Sequence, residues 1–84
     1  MHLLVLTPDQ EIFSGEIERV KVPGEKGQFE VLKNHAPIVS SLSAGFVTWL
    51  TDKGEKVKYH IDQGFVEVLN NRVSLLVRGA RKSS

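Results

Sequence analysis

Apolar residues in this chain come in short runs with a period of two. Val20 and Val22 alternate with Arg19 and Lys21, and Val57, Tyr59 and Ile61 alternate with Lys56, Lys58 and His60. Such alternation puts one side of an extended segment in a core and the other in water. Gly, Pro, Asn and Asp interrupt the runs every eight to twelve residues, the rhythm of a sandwich or barrel. The predicted strands are His2 to Thr7, Gln10 to Phe13, Ile17 to Val22, Phe29 to Leu32, Ile38 to Leu42, Phe46 to Thr51, Lys56 to Ile61, Phe65 to Leu69 and Arg72 to Val77. Ser14-Gly15, Pro23-Gly24, Ser43-Ala44-Gly45 and Asp52-Lys53-Gly54 read as the breaks between them. Asn70-Asn71 reads as a tight primed turn, because adjacent Asn residues tolerate positive φ. No window holds helical spacing over ten residues. The expectation is an all-β fold: a two-layer antiparallel β-sandwich of about eight to ten short strands in a single domain, 1–84, without a C-terminal helical hairpin. Val20, Val22, Val57, Tyr59 and Ile61 are its predicted core.

Two segments are apolar on both faces. Phe65 and Leu69 oppose Val66 and Val68, and Phe46 and Leu50 oppose Val47 and Trp49. Only one face of each sheet reaches the core of a sandwich. The surplus points to a surface that meets a partner.

With 84 residues the chain buries only about 60–65% of its unfolded surface, so its stability is expected to be modest. It has no cysteine, which removes disulfides and thiolate metal sites. The apolar runs span a few residues, whereas a membrane helix needs about twenty, and no secretory signal pattern is visible. The chain is therefore expected to be soluble. Eleven basic and ten acidic residues leave a net charge of +1 without a run of one sign. That balance argues against a nucleic-acid binder, whose face is normally basic. Arg78, Arg81 and Lys82 at the tail read first as a solvated terminus, and otherwise as a contact to a partner or anionic lipid.

Catalytic chemistry is not written in the residues. His2, His35 and His60 lie in separate segments without ligand spacing. Gly24-Glu25-Lys26-Gly27 has glycines but lacks the Lys-Ser/Thr and the strand-to-helix context of a phosphate loop. Asp9, Glu11, Glu16 and Glu18 follow turns and polar strand faces, where charges are normally solvated. No enzyme activity, cofactor or metal is expected of the chain. His35 precedes Ala36-Pro37, and Pro37 holds Ala36 extended, so the corner fixes where the imidazole points. It either satisfies backbone groups of its own loop or touches a partner.

The stretch Val22-Pro23-Gly24-Glu25-Lys26-Gly27-Gln28-Phe29-Glu30-Val31-Leu32, followed by Asn34-His35-Ala36-Pro37 and the apolar run to Ser40, resembles the epsilon subunit of F-type ATP synthases. Leu6-Thr7-Pro8-Asp9-Gln10 through Gly15 resembles that family's opening hairpin. Leu42 to Val47, Gln63 to Val68 and Asn71 to Leu76 resemble its later strands. The resemblance runs in order from about residue 2 to residue 80. It implies the N-terminal β-sandwich of a non-catalytic rotor subunit, which joins the gamma subunit to the membrane c-ring. It implies a c-ring contact at Glu25, Lys26, Gly27 and Gln28, and a gamma contact at Thr7, His35, Pro37 and Ser40. It also implies a peripheral place on the cytoplasmic face of the bacterial plasma membrane, and no nucleic-acid partner.

Two departures qualify the resemblance. Many family members carry Glu at the position of Gln28 and Pro-Gly at Lys33-Asn34. A charge pair at Gln28 is lost, and Glu25 or Glu30 would have to supply it. The chain also ends at Ser84, before the two helices with which most bacterial members inhibit hydrolysis and some bind ATP. Neither property is expected here. The alternative reading is a free-standing β-barrel module of the oligonucleotide-binding type. That module needs about five strands and aromatics exposed in a basic groove.

Overall fold

The computed structural model describes residues 1–83. Its elements are β1 (His2–Leu6), β2 (Glu11–Gly24), β3 (Gly27–Leu32), β4 (Ile38–Leu42), β5 (Gly45–Thr51), β6 (Lys56–Ile61), β7 (Gln63–Leu69), β8 (Arg72–Arg78) and β9 (Arg81–Ser83). Among the described residues there is no helix. The strands pair in the order β1-β8-β7-β4-β2-β5-β6-β9, with β3 added to β2 and a further β1–β2 ladder. Nine strands favour the sandwich over the five-stranded barrel. The expected single domain, 1–84, ends at Ser84, which lies outside the described residues.

One layer is β1-β8-β7-β4 and the other is β3-β2-β5-β6-β9, with β2 common to both. Its first part pairs with β1 from Leu6↔Glu11 to His2↔Glu16. Its second part pairs with β5 from Ile17↔Thr51 and with β3 up to Gly24↔Gly27. The expected break at Ser14-Gly15 is therefore absent. Gly15 serves packing: a Cβ there would lie 3.1 Å from the Phe13 ring. The strand bends through a register shift between Ile17 and Arg19, the usual means by which a strand changes direction. The ladders are antiparallel except β1 with β8, which run parallel.

Val20, Val22 and Ile61 are buried as expected, with Leu3, Val31, Val47, Val66, Val73 and Leu75 beside them. Full burial of each such aliphatic side chain stabilises by about 1.5–3 kcal/mol. Val57 and Tyr59, expected in the core, are only half-buried. They lie on β6, towards the open side of the second layer, where only the three residues of β9 pair beyond it. Tyr59 stacks on Trp49 with ring centroids 5.7 Å apart and so covers the core edge instead of filling it. The Asn70-Asn71 turn forms as expected, with φ of 50° and 63°. Asn71 also ties loops together. Its carbonyl accepts from the His2 N–H at 3.0 Å and its Oδ1 accepts from the Asn34 N–H at 2.7 Å.

Candidate functional site

The Glu25–Gln28 loop is the tip of the β2–β3 hairpin. The sequence places the turn at Pro23-Gly24, but the ladder continues to Gly24↔Gly27 and the two connecting residues are Glu25 and Lys26. Gly24 is required because a Cβ there would meet the Gly27 carbonyl oxygen at 2.7 Å and the Phe29 ring at 2.9 Å. Gly27 has φ of +129°, which L side chains rarely adopt. The tip is tied to β4: the Glu25 N–H donates to the Ser41 carbonyl at 3.1 Å, and the Ser43 N–H donates to Pro23 at 2.9 Å. Glu25, Lys26, Gly27 and Gln28 are all exposed. Among the described residues neither Glu25 nor Lys26 forms an ion pair. Glu30, the other candidate replacement for a charge at Gln28, sits along β3 with Arg19 at 3.6 Å. Glu25 is thus the carboxylate at the tip.

The four candidates for the second partner do not form one patch. Thr7 follows β1 at the end of the first layer where Leu6, Leu76, Phe65 and Ser41 share a cross-strand row. Its hydroxyl is engaged in its own turn, accepting from the N–H groups of Asp9 and Gln10 at 3.3 and 3.1 Å. His35 and Pro37 lie at the opposite end, before Ile38, whose row holds Val68, Val73 and Leu3. The His35 ring N–H donates to the Ala36 carbonyl at 2.7 Å, so the imidazole satisfies its own loop. Pro37 is exposed. Ser40 is half-buried opposite Val66 and borders the groove between β4 and the hairpin tip. Ser40 therefore neighbours the Glu25–Gln28 loop more closely than it neighbours Thr7.

The outward face of the first layer carries the surplus apolar surface. Phe65, Leu69 and Leu76 are 40%, 48% and 51% exposed, and Val39 on β4 is 59% exposed. Phe65 stands directly opposite Leu76, and Leu76 opposite Leu6, so three apolar side chains form a row across three strands. The expected Phe65 and Leu69 face is present. Leu6 and Leu76 were not singled out from the sequence. Their signal was there: Leu3 to Leu6 and Leu75-Leu76 are apolar at consecutive positions, and so on both faces.

The imidazoles sit in three separate networks. The His2 Nδ1–H donates to Glu16 at 3.0 Å, and its Nε2 shares a hydrogen bond of 3.2 Å with the Ser14 hydroxyl. The His60 Nδ1 accepts from Arg81 at 2.9 Å. Glu16 is held below the usual carboxylate range, first by the His2 hydrogen bond and then by the N-terminal ammonium. No group of three or more His, Cys, Asp or Glu among the described residues could hold a metal ion.

Comparison with known proteins gives the family. The family model for the ATP synthase delta/epsilon chain, beta-sandwich domain, matches residues 1–83. The chain is 39% identical over 84 residues to the ATP synthase epsilon chain of Leptospira borgpetersenii serovar Hardjo-bovis, covering 98% of this chain and 65% of that one. It is 37% identical to the chloroplastic epsilon chain of Cyanidioschyzon merolae, covering 99% of this chain and 63% of that one. The chain thus spans somewhat under two thirds of the length of these relatives. A chain in the Euglena gracilis mitochondrial ATP synthase (OSCP/F1/c-ring) shares the fold, with a TM-score of 0.88 at 24% identity over 95% of this chain and 51% of that one. A chain in the central stalk/c-ring structure of the Tetrahymena thermophila mitochondrial ATP synthase shares it with a TM-score of 0.79 at 16% identity, over 96% and 65%. With the β-sandwich and the matched residues in agreement, this chain belongs to the beta-sandwich domain family of the ATP synthase delta/epsilon chain.

Proposed function

We propose that the chain is a non-catalytic rotor subunit of an F-type proton-translocating ATP synthase, joining the gamma subunit to the c-ring at the cytoplasmic face of a bacterial plasma membrane. The observation that carries this is the match over the whole described chain to a domain family of that complex. Two features of the surface support it. A polar tip, Glu25 to Gln28, is exposed at the end of the β2–β3 hairpin, and neither Glu25 nor Lys26 forms an ion pair among the described residues, as a contact to the polar loops of a ring requires. An apolar row, Leu6, Leu76 and Phe65, covers an outer sheet face and gives a second subunit an area from which to exclude water. The gamma contact is assigned to this row with Thr7 at its end. His35, Pro37 and Ser40 border it only if gamma reaches along β4. The two structures of similar fold are a mitochondrial OSCP/F1/c-ring assembly and a central stalk/c-ring assembly, which fits the same placement. No catalytic role is assigned to any residue. Co-purification with gamma tests the assignment. Phe65→Glu with Leu76→Glu is expected to abolish it while the chain stays folded, and retention of gamma by that variant would move the interface elsewhere.

A further inference from the structure

β9 closes the open side of the second layer with three residues, Arg81 to Ser83. It runs antiparallel to β6 through His60↔Arg81, Tyr59↔Lys82 and Lys58↔Ser83, and no other described strand pairs with it. Ala80 packs against the core just before it, whereas Arg81 and Lys82 are exposed. An edge segment with so few buried contacts opens at low free-energy cost, so its side-chain ties decide whether it is docked. The main tie is Arg81. Its Nη1 donates to the Gly79 carbonyl at 3.2 Å and its Nη2 donates to His60 Nδ1 at 2.9 Å, with Asp62 Oδ1 3.5 Å from the same Nη2. Gly79 has φ of +68°, and a Cβ there would strike the Asp62 carboxylate, so glycine lets the chain pass this close. A guanidinium only donates and stays charged. The contact therefore requires a neutral His60, with its lone pair on Nδ1 and its proton on Nε2.

We propose that His60 and Arg81 form a proton-operated latch: β9 is docked on β6 while His60 is neutral and is released when the ring takes a proton. The proton goes to Nδ1, the atom that accepts from Arg81. The hydrogen bond is then replaced by two N–H donors and two positive charges facing each other. The surroundings do not offset this. From β5 the Phe46 ring meets His60 edge-on at 5.2 Å, and Lys58, two residues along β6, holds its Nζ 4.2 Å from the centre of that same ring. Asp62, at the β6–β7 junction, is the carboxylate of the group, and Arg81 already engages it. Lys58, Arg81 and Asp62 together carry +1 beside a neutral ring, and the cluster carries +2 once the ring is protonated. The Arg81 and Asp62 side chains are 62% and 58% exposed, so water screens much of the repulsion and the domain itself stays folded. For a three-residue strand the remainder suffices. Imidazoles titrate between about pH 5 and 8. Docking is therefore complete at the upper end of that range and lost as pH falls through it. Release bares the outer N–H and C=O groups of β6 from Lys58 to His60, an open edge with which a further strand can pair. No residue of the hairpin tip or of the apolar row takes part, so the latch operates whether or not the chain is a rotor subunit.

Nuclear magnetic resonance on the isotope-labelled 84-residue chain tests this from about pH 8 to about pH 5, above the range in which ordinary carboxylates titrate. Cross-strand contacts between Lys58 and Ser83 and between Tyr59 and Lys82 report docking, and the amides of Val66 and Leu75 report the core. The ratio of docked to released β9 is expected to fall by about tenfold or more, in step with the His60 ring protons, while the core amides stay unchanged. His60→Gln keeps a neutral acceptor for Arg81 but does not titrate, and its ratio is expected to change by less than about twofold. His2→Gln removes an imidazole of the other layer and is expected to keep the full fall. Docking contacts that persist at the lower pH in the unmodified chain would show Arg81 turning to Asp62 without releasing the strand, and would overturn the proposal. So would an equal fall in His60→Gln, a β9 already released at the upper pH, or loss of the core amides over the same range.

Discussion

Single side chains carry separable loads in this fold. Ile61 is 1% exposed and belongs to the main core cluster. Ile61→Ala is expected to cost about 2–5 kcal/mol, read by urea denaturation, from lost transfer energy plus the cavity left behind. In a small domain that is a large share of total stability. A cost under about 1 kcal/mol would mean that the site collapses around the gap. Glu16 acts through its protonation. Its folded pKa is depressed by the His2 hydrogen bond and then by the N-terminal ammonium. The contribution is therefore complete above the unfolded carboxylate pKa and lost as pH falls through the folded value. Glu16→Gln is expected to flatten the acid limb of stability against pH. The neutral-pH effect stays small, because the carboxylate is exposed and exposed pairs contribute little. An acid limb unchanged in the variant would show that the hydrogen bond seen with His2 is not populated in solution.

At the scale of elements, the hairpin tip separates attachment from folding. Replacing Glu25, Lys26 and Gln28 together by Ala removes no buried group. Stability is expected to change by under about 0.5 kcal/mol, read by thermal melting. Gly24→Ala is expected to unfold the hairpin locally or melt the domain early, because its Cβ would sit 2.7 Å from a backbone oxygen that cannot swing away. Much of this element map was legible. Strands with clean alternation, such as Ile17 to Val22 and Lys56 to Ile61, stand where the pattern put them. So does the Asn70-Asn71 turn, where two positive φ values need residues of that type. The continuity of β2 was not legible. A glycine that makes room for the Phe13 ring is indistinguishable, in sequence, from a glycine that turns the chain. Val57 and Tyr59 were expected in the core because alternation reports which face a residue is on. It does not report whether the sheet continues far enough to cover that face.

The whole molecule is a sandwich with an apolar row on the outer face of one layer and a polar tip where β2, β3 and β4 meet. The outer faces were half-legible. Two-sided apolar strands announced that some surface would remain uncovered, but only the register showed Leu6, Leu76 and Phe65 to be neighbours. The four residues assigned to gamma by resemblance were scattered by the fold to two ends of one layer, since shared ancestry of a loop does not say which way a partner approaches it. The central claim is that the Glu25–Gln28 tip faces the c-ring. The most direct measurement is disulfide cross-linking in the membrane-bound complex, with single cysteines placed at Gln28 or at Lys53 and a partner cysteine in the c-subunit polar loop. Both positions are exposed, Gln28 at the start of β3 beside the hairpin tip and Lys53 in the β5–β6 connection. Cross-linking at Gln28 and none at Lys53 is the expected result. Cross-linking at Lys53 with none at Gln28 would contradict the orientation, and the tip would then need another partner.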